Sequence, residues 1–129
     1  MNYEFSKRSK LVLSKVHPDL QKVFNEAISM SDIDFGIPSS GGLRTAEEQR
    51  ALFNEGKSKC DGYQRKSYHQ SGNAVDVYAY VDGAASWDPY HLEQVADVIK
   101  AAANIHNIDI TWGGDWKGFI DMPHFQLKK

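Results

Sequence analysis

Ser67-Tyr68-His69-Gln70-Ser71-Gly72-Asn73-Ala74-Val75-Asp76-Val77-Tyr78-Ala79-Tyr80 is the stretch on which the reading of the fold turns. From Ala74 onward, Val75, Val77 and Ala79 alternate with Asp76, Tyr78 and Tyr80, a period of two that predicts a strand over 74–80. Both faces are apolar or aromatic apart from Asp76, so the strand is expected to be buried. A carboxylate in such a strand is costly unless it is paired or bound to a metal. Gln70-Ser71-Gly72-Asn73 reads as a turn, which swings His69 back toward Asp76.

A second segment, Asp121-Met122-Pro123-His124, adds another imidazole and another carboxylate. In a regular strand, residues three apart face opposite ways. Pro123 cannot donate to a ladder and suits a strand start or a bulge, which predicts a kink that turns Asp121 and His124 toward one site. Two imidazoles and a carboxylate can hold a catalytic metal ion with a coordination position left open. The remaining carboxylate is then available as a general base. On the residues alone, a buried polar network tying strands together fits the same pattern equally well.

The motifs Ser67-x-His69-x-x-Gly72-x-Ala74-x-Asp76, Trp112-Gly113-Gly114-Asp115-Trp116 and Asp121-x-Pro123-His124-Phe125, in this order, resemble the M15 zinc peptidases of bacterial cell walls. The similarity is greatest to the L-alanyl-D-glutamate endopeptidases that phages use as endolysins. It runs from Ser6 to Leu127 and includes Val16-His17-Pro18-Asp19-Leu20 and Leu43-Arg44-Thr45-Ala46-Glu47-Glu48-Gln49. The resemblance implies one catalytic zinc ion on His69, Asp76 and His124, with Asp121 as the base. It further implies that Arg44 polarises the scissile carbonyl and steadies its oxyanion, and that Ser67 lies beside bound substrate. Some members of the family carry Glu where this chain has the shorter Asp121. The fold implied is α+β of the Hedgehog and D,D-peptidase kind, a small antiparallel sheet with about three helices packed on it. The substrate implied is peptidoglycan, cut at the L-Ala–D-Glu bond of its stem peptides. Two alternatives share the scaffold: a D,D-carboxypeptidase or D-Ala-D-Ala dipeptidase, and a non-catalytic zinc-bearing binding module.

A chain of 129 residues is expected to be a single catalytic domain spanning 1–129, with no separate wall-binding module. Its net charge of -2 gives no general attraction for nucleic acid. Lys7, Arg8, Lys10 and Lys15 cluster early, and Lys57, Lys59, Arg65 and Lys66 precede His69; both groups read first as solvated basic faces, and second as contacts for anionic wall polymer or lipid headgroups. Met1 to Lys10 lacks the apolar segment of a signal peptide, and no apolar run reaches the length of about 20 residues needed to span a bilayer. The expectation is a monomer kept in the host cytoplasm, without stable membrane insertion, and released to act on the wall during phage lysis. Cys60 is the only cysteine, which excludes an internal disulfide, and it reads as an incidental loop residue rather than a ligand.

Around these motifs the elements follow from caps and periodicity. Pro18 opens a helix whose stripe is Leu20, Val23, Phe24, Ala27 and Ile28. Thr45 and Glu48 form a capping-box pair for a helix that Gly56 ends, leaving Arg44 just outside its N-terminus. Asp88-Pro89 opens a helix running to about His106. Short strands are expected over 35–38, 108–112 and 124–127. His17, His91 and His106 have no ligand-like neighbour and read as structural or solvated. Trp112 and Trp116 either pack or line a groove, with packing the commoner role. Asp115 either accepts from a ligand imidazole or from turn amides.

Overall fold

Each helix starts where a polar side chain accepts from one of its free amides. The computed structural model describes residues 3–128. Helix α1 (Lys7–Leu13) is capped by Ser6, whose hydroxyl accepts from Ser9 N. Helix α2 (Pro18–Met30) begins with His17 Nδ1 accepting from Asp19 N, so this histidine is a cap. Helix α3 (Ala46–Asn54) carries the full Thr45–Glu48 capping box. Helix α4 (Pro89–Ile105) is capped by Asp88, which accepts from Tyr90 N. The apolar stripes of α2 and α4 pack on each other and form the centre of the core.

Among the described residues six strands make two three-stranded antiparallel sheets: β1 (Asp34–Gly36), β2 (Ala74–Asp76), β3 (Tyr78–Val81), β4 (Ala84–Ser86), β5 (Ile110–Trp112) and β6 (His124–Leu127). One has the order β1-β3-β4, the other β2-β6-β5. The expected α+β class holds, with the antiparallel strands divided into two small sheets and four helices among the described residues. The strand expected over 74–80 breaks at Val77, whose N–H donates to Pro123 O (2.9 Å) and not to either ladder. Alternation survives the break, so periodicity alone could not reveal that β2 and β3 belong to different sheets. Helix α1 escaped detection because it is seven residues long, carries three cations and buries only Ser9 and Leu13.

The register of β2 on β6 sets up the functional site. Val75 opposes Phe125 and Asp76 opposes His124. Phe125 is fully buried, edge-on to Phe24 and stacked on Trp112. Full burial of a side chain of this kind is worth about 1.5–3 kcal/mol, which clamps β6 from behind. His124 and Gln126, of opposite parity, are thereby turned to the other face.

Candidate metal centre

Directly opposed residues in an antiparallel pair project to the same face, so β2 and β6 deliver Asp76 and His124 together. His69 arrives from a 3₁₀ turn, Tyr68–Ser71, that ends on Gly72 at φ 74°. Ser67 caps that turn, its Oγ accepting from His69 N at 3.2 Å. Three atoms then form a nearly equilateral triangle. His69 Nε2 lies 3.1 Å from Asp76 Oδ1, His124 Nδ1 lies 3.2 Å from Asp76 Oδ1, and the two nitrogens are 3.2 Å apart.

The outer contacts of the imidazoles decide what this triangle is. His69 Nδ1 is 2.9 Å from Gly42 O, which can only accept, so the proton of the neutral ring sits on Nδ1. His124 Nε2 is 2.8 Å from Gln126 Oε1, which fixes its proton on Nε2 in the same way. Both inner nitrogens of the neutral rings therefore present lone pairs to a carboxylate oxygen. Three lone pairs facing one another repel unless a cation lies among them. An ion bound tetrahedrally at about 2.0–2.1 Å sets its ligand atoms about 3.3 Å apart, and the triangle is of that size. His69, Asp76 and His124 are thus a group able to hold a metal ion, and Cys60 has no part in it.

A proton on an inner nitrogen relieves the same repulsion when no metal ion is bound. In that protonated state burial opposes ionisation of Asp76, but the charge of His69 and hydrogen bonds from His124 and His69 outweigh it and hold the carboxyl far below the usual range. Burial lowers the proton affinity of His124, yet its hydrogen bond and attraction to Asp76 raise it overall. A proton and a metal ion would compete for this nitrogen.

Segment 40–44 cradles the group from the other side. Ser40 O accepts from Arg44 Nε (2.7 Å), Gly41 O from Asp76 N (2.8 Å), and His69 O from Arg44 N (3.0 Å). A Cβ on Gly41 would stand 2.9 Å from Asp76 O, so the approach depends on glycine. Arg44 is buried and its guanidinium is already engaged: Nη2 donates to Asp76 Oδ2 (2.9 Å) and Nη1 to Gln49 Oε1 (3.0 Å). Two of its five N–H groups remain for another acceptor.

Asp121 and His124 share a tight turn in which His124 N donates to Asp121 O (3.1 Å), the kink expected at Pro123. Trp112 Nε1 donates to Met122 O (2.6 Å) and Asp121 N to Gly113 O (3.0 Å), fastening the turn. A Cβ on Gly113 would collide with the Asp121 carbonyl. Burial, followed by repulsion from Asp76, raises the Asp121 carboxyl above its ordinary value, with His124, His69 and Arg44 opposing.

Arg44, Ser67, His69, Asp76, Asp121 and His124 all line one cleft of about 660 Å³. Trp116 lines it as well, 5.2 Å from the His124 ring, whereas Trp112 packs in the core. Asp115 corrects both of its readings: it pairs with Lys100 (2.8 Å) on the surface. His91 accepts from or donates to Ser86 Oγ (2.7 Å), and His106 meets Glu26 (3.2 Å), both away from the group. The sequence reading missed Gln126, Gly42 and Gln49. Only Gln126 had a local signal, its place two residues beyond His124 on the same strand face.

A family profile described as phage L-alanyl-D-glutamate peptidase matches residues 1–127. The chain is 33% identical over 132 residues to the L-alanyl-D-glutamate peptidase of Escherichia phage T5, covering 100% of this chain and 92% of that protein. It is 31% identical over 128 residues to the peptidoglycan L-alanyl-D-glutamate endopeptidase CwlK of Bacillus subtilis (strain 168), covering 90% and 75%. The crystal structure of the Serratia marcescens L-Ala D-Glu endopeptidase ChiX superposes with a TM-score of 0.84 at 36% identity, covering 97% of this chain and 90% of that one.

Proposed function

Because the chain belongs to the phage L-alanyl-D-glutamate peptidase family, we propose that it is a zinc endopeptidase that cuts the L-Ala–D-Glu bond of murein stem peptides. The resemblance drawn from its motifs is borne out by the family match. The observation that carries the reading is the triangle of three lone pairs with a protonatable carboxylate beside it. An all-nitrogen-and-oxygen set of two imidazoles and one carboxylate suits zinc.

His69, Asp76 and His124 would hold the ion. When bound, zinc supplies Lewis acidity that makes water a nucleophile near neutral pH and polarises a carbonyl. Asp121 takes the proton of the attacking water at a carboxylate oxygen and returns it to the leaving amine. Its raised proton affinity suits both halves of that exchange, since efficiency is greatest when the group's pKa approaches the working pH. Arg44 offers its two unused N–H groups to the carbonyl oxygen as charge develops there. Removing one such donor costs about 10²–10³ in rate. Ser67 orients His69 from the cleft wall, where it also meets substrate.

No helix among the described residues is long and apolar enough to cross a membrane. Release from the host cytoplasm onto the wall fits a lysis enzyme acting as a monomer. Mass spectrometry of purified murein treated with zinc-loaded protein, beside a chelated sample, tests the reading. The expected products are glycan bearing L-Ala ends and peptides beginning at D-Glu. Release of D-Ala alone would make it a D,D-carboxypeptidase, and zinc binding without any fragment would make it a binding module.

A further inference from the structure

Helices α1, α2 and α4 each bury apolar side chains, but α3 buries a single residue, and that residue is Gln49. Its side chain has no solvent exposure. If packing were its only task, an apolar residue of similar size would serve without the cost of burying an amide. The amide is instead fully used. Oε1 accepts from Arg44 Nη1 (3.0 Å), while Nε2 donates to Ser58 Oγ (2.8 Å) and to Cys60 O (2.8 Å). Ser58 Oγ accepts in turn from Cys60 N at 3.1 Å.

These bonds join two parts of the cleft. On one side, Lys57, Ser58, Lys59 and Cys60 form a wall of the cleft. On the other, Arg44 Nη2 grips Asp76 Oδ2 while Asp76 Oδ1 belongs to the ligand triangle. We infer that Gln49 is a positioning residue, which ties the 57–60 wall to Arg44 and through Arg44 sets the orientation of the Asp76 carboxylate. This rests on the proposed metal site. A planar guanidinium bridges Gln49 and Asp76 at once because its donors are splayed in a rigid fork, which a lysine ammonium cannot reproduce. Gln49 therefore acts only where an arginine stands at position 44.

The test is a double-mutant cycle in the full chain: Gln49→Glu and Gln49→Met, each alone and combined with Arg44→Lys. Three quantities are read: kcat on purified murein glycopeptide, the zinc dissociation constant by chelator competition, and the thermal unfolding midpoint. Partners one step behind a metal ligand, as Arg44 is to Asp76, typically matter by about 10–100-fold in affinity or activity, and Gln49, one step further back, is expected at the low end of that range. Each Gln49 variant should lower kcat and weaken zinc by about tenfold with Arg44 present, and change either by less than about twofold in the Arg44→Lys background. Equal losses in both backgrounds would overturn the inference. So would a lowered midpoint with unchanged kcat and zinc affinity. Should the Met variant not fold, the Glu variant, of nearly the same shape, carries the same cycle. Wild-type protein that binds zinc but cuts no murein would sink the peptidase reading alone, since the zinc constants still report the coupling.

Discussion

The ligand triangle and the rest of the cleft are held by different means. Asp76 and His124 sit opposite each other on a hydrogen-bonded ladder with Phe125 buried behind it, and His69 is locked by backbone groups of segment 40–44. Asp121 stands on a turn, Trp116 in an irregular stretch, and Lys57 to Cys60 on a loop fastened by the side chain of Gln49. Ladders resist rearrangement because breaking one bond loosens its neighbours, while loops open locally at low cost. The groups that would hold the ion are therefore built into the ladder and the segments locked to it, together with Arg44 and Ser67, while Asp121, Trp116 and the 57–60 wall stand on turns and loops. Substitutions on the two sides should accordingly fail in different ways.

The largest effect belongs to the ladder. His124→Ala removes a ligand and leaves Asp76 with one imidazole, so zinc affinity should fall by more than about 100-fold. Hydrolysis of murein should fall to background with it. Retained zinc in a chelator competition would show that the triangle is not the site. On the turn side, Asp121→Asn should keep zinc within a few-fold while turnover drops by about 10²–10⁴, the usual contribution of a general base. Wild-type turnover would exclude Asp121 from proton transfer. A smaller loss is expected for Gln126→Leu, which strips the acceptor from His124 Nε2 and should cost about 10–100-fold in zinc affinity or rate. Unchanged zinc affinity and rate in that variant would show that the His124 ring is oriented without Gln126.

The smallest effect is one of stability. Asp121 binds its proton more tightly in the fold than its ordinary value of 3.8 implies, so its ionisation works against folding. That cost is absent well below 3.8 and complete once pH has risen past the raised folded value. Asp121→Asn should then raise the unfolding midpoint of the metal-free protein at neutral pH, and the gain should vanish toward about pH 3. A midpoint lowered at neutral pH would mean that the carboxylate is held by contacts that favour its charge.

The same division governs what could be read from the residues. The convergence of His69, Asp76 and His124 was legible because turn chemistry and strand alternation are local patterns, while their role as ligands came only with the family resemblance; the caps at Thr45 and Asp88 fixed their helices for the same local reason. The break at Val77 was invisible, since its cause is a hydrogen bond to Pro123, 46 positions along the chain. Gly42 and Gln49 were missed on similar grounds: a carbonyl that receives His69 from 27 residues away leaves no local pattern, and a glutamine inside α3 looks like any surface residue. Asp115 was misjudged because its partner, Lys100, lies on α4 and not in the motif that surrounds it.

X-ray absorption at the zinc edge of the metal-loaded protein tests the convergence of the three lone pairs most directly. A shell of nitrogen and oxygen alone, with the outer-shell signature of two imidazoles, is the predicted result. A sulfur neighbour from Cys60, a single imidazole, or no stoichiometric zinc would contradict it.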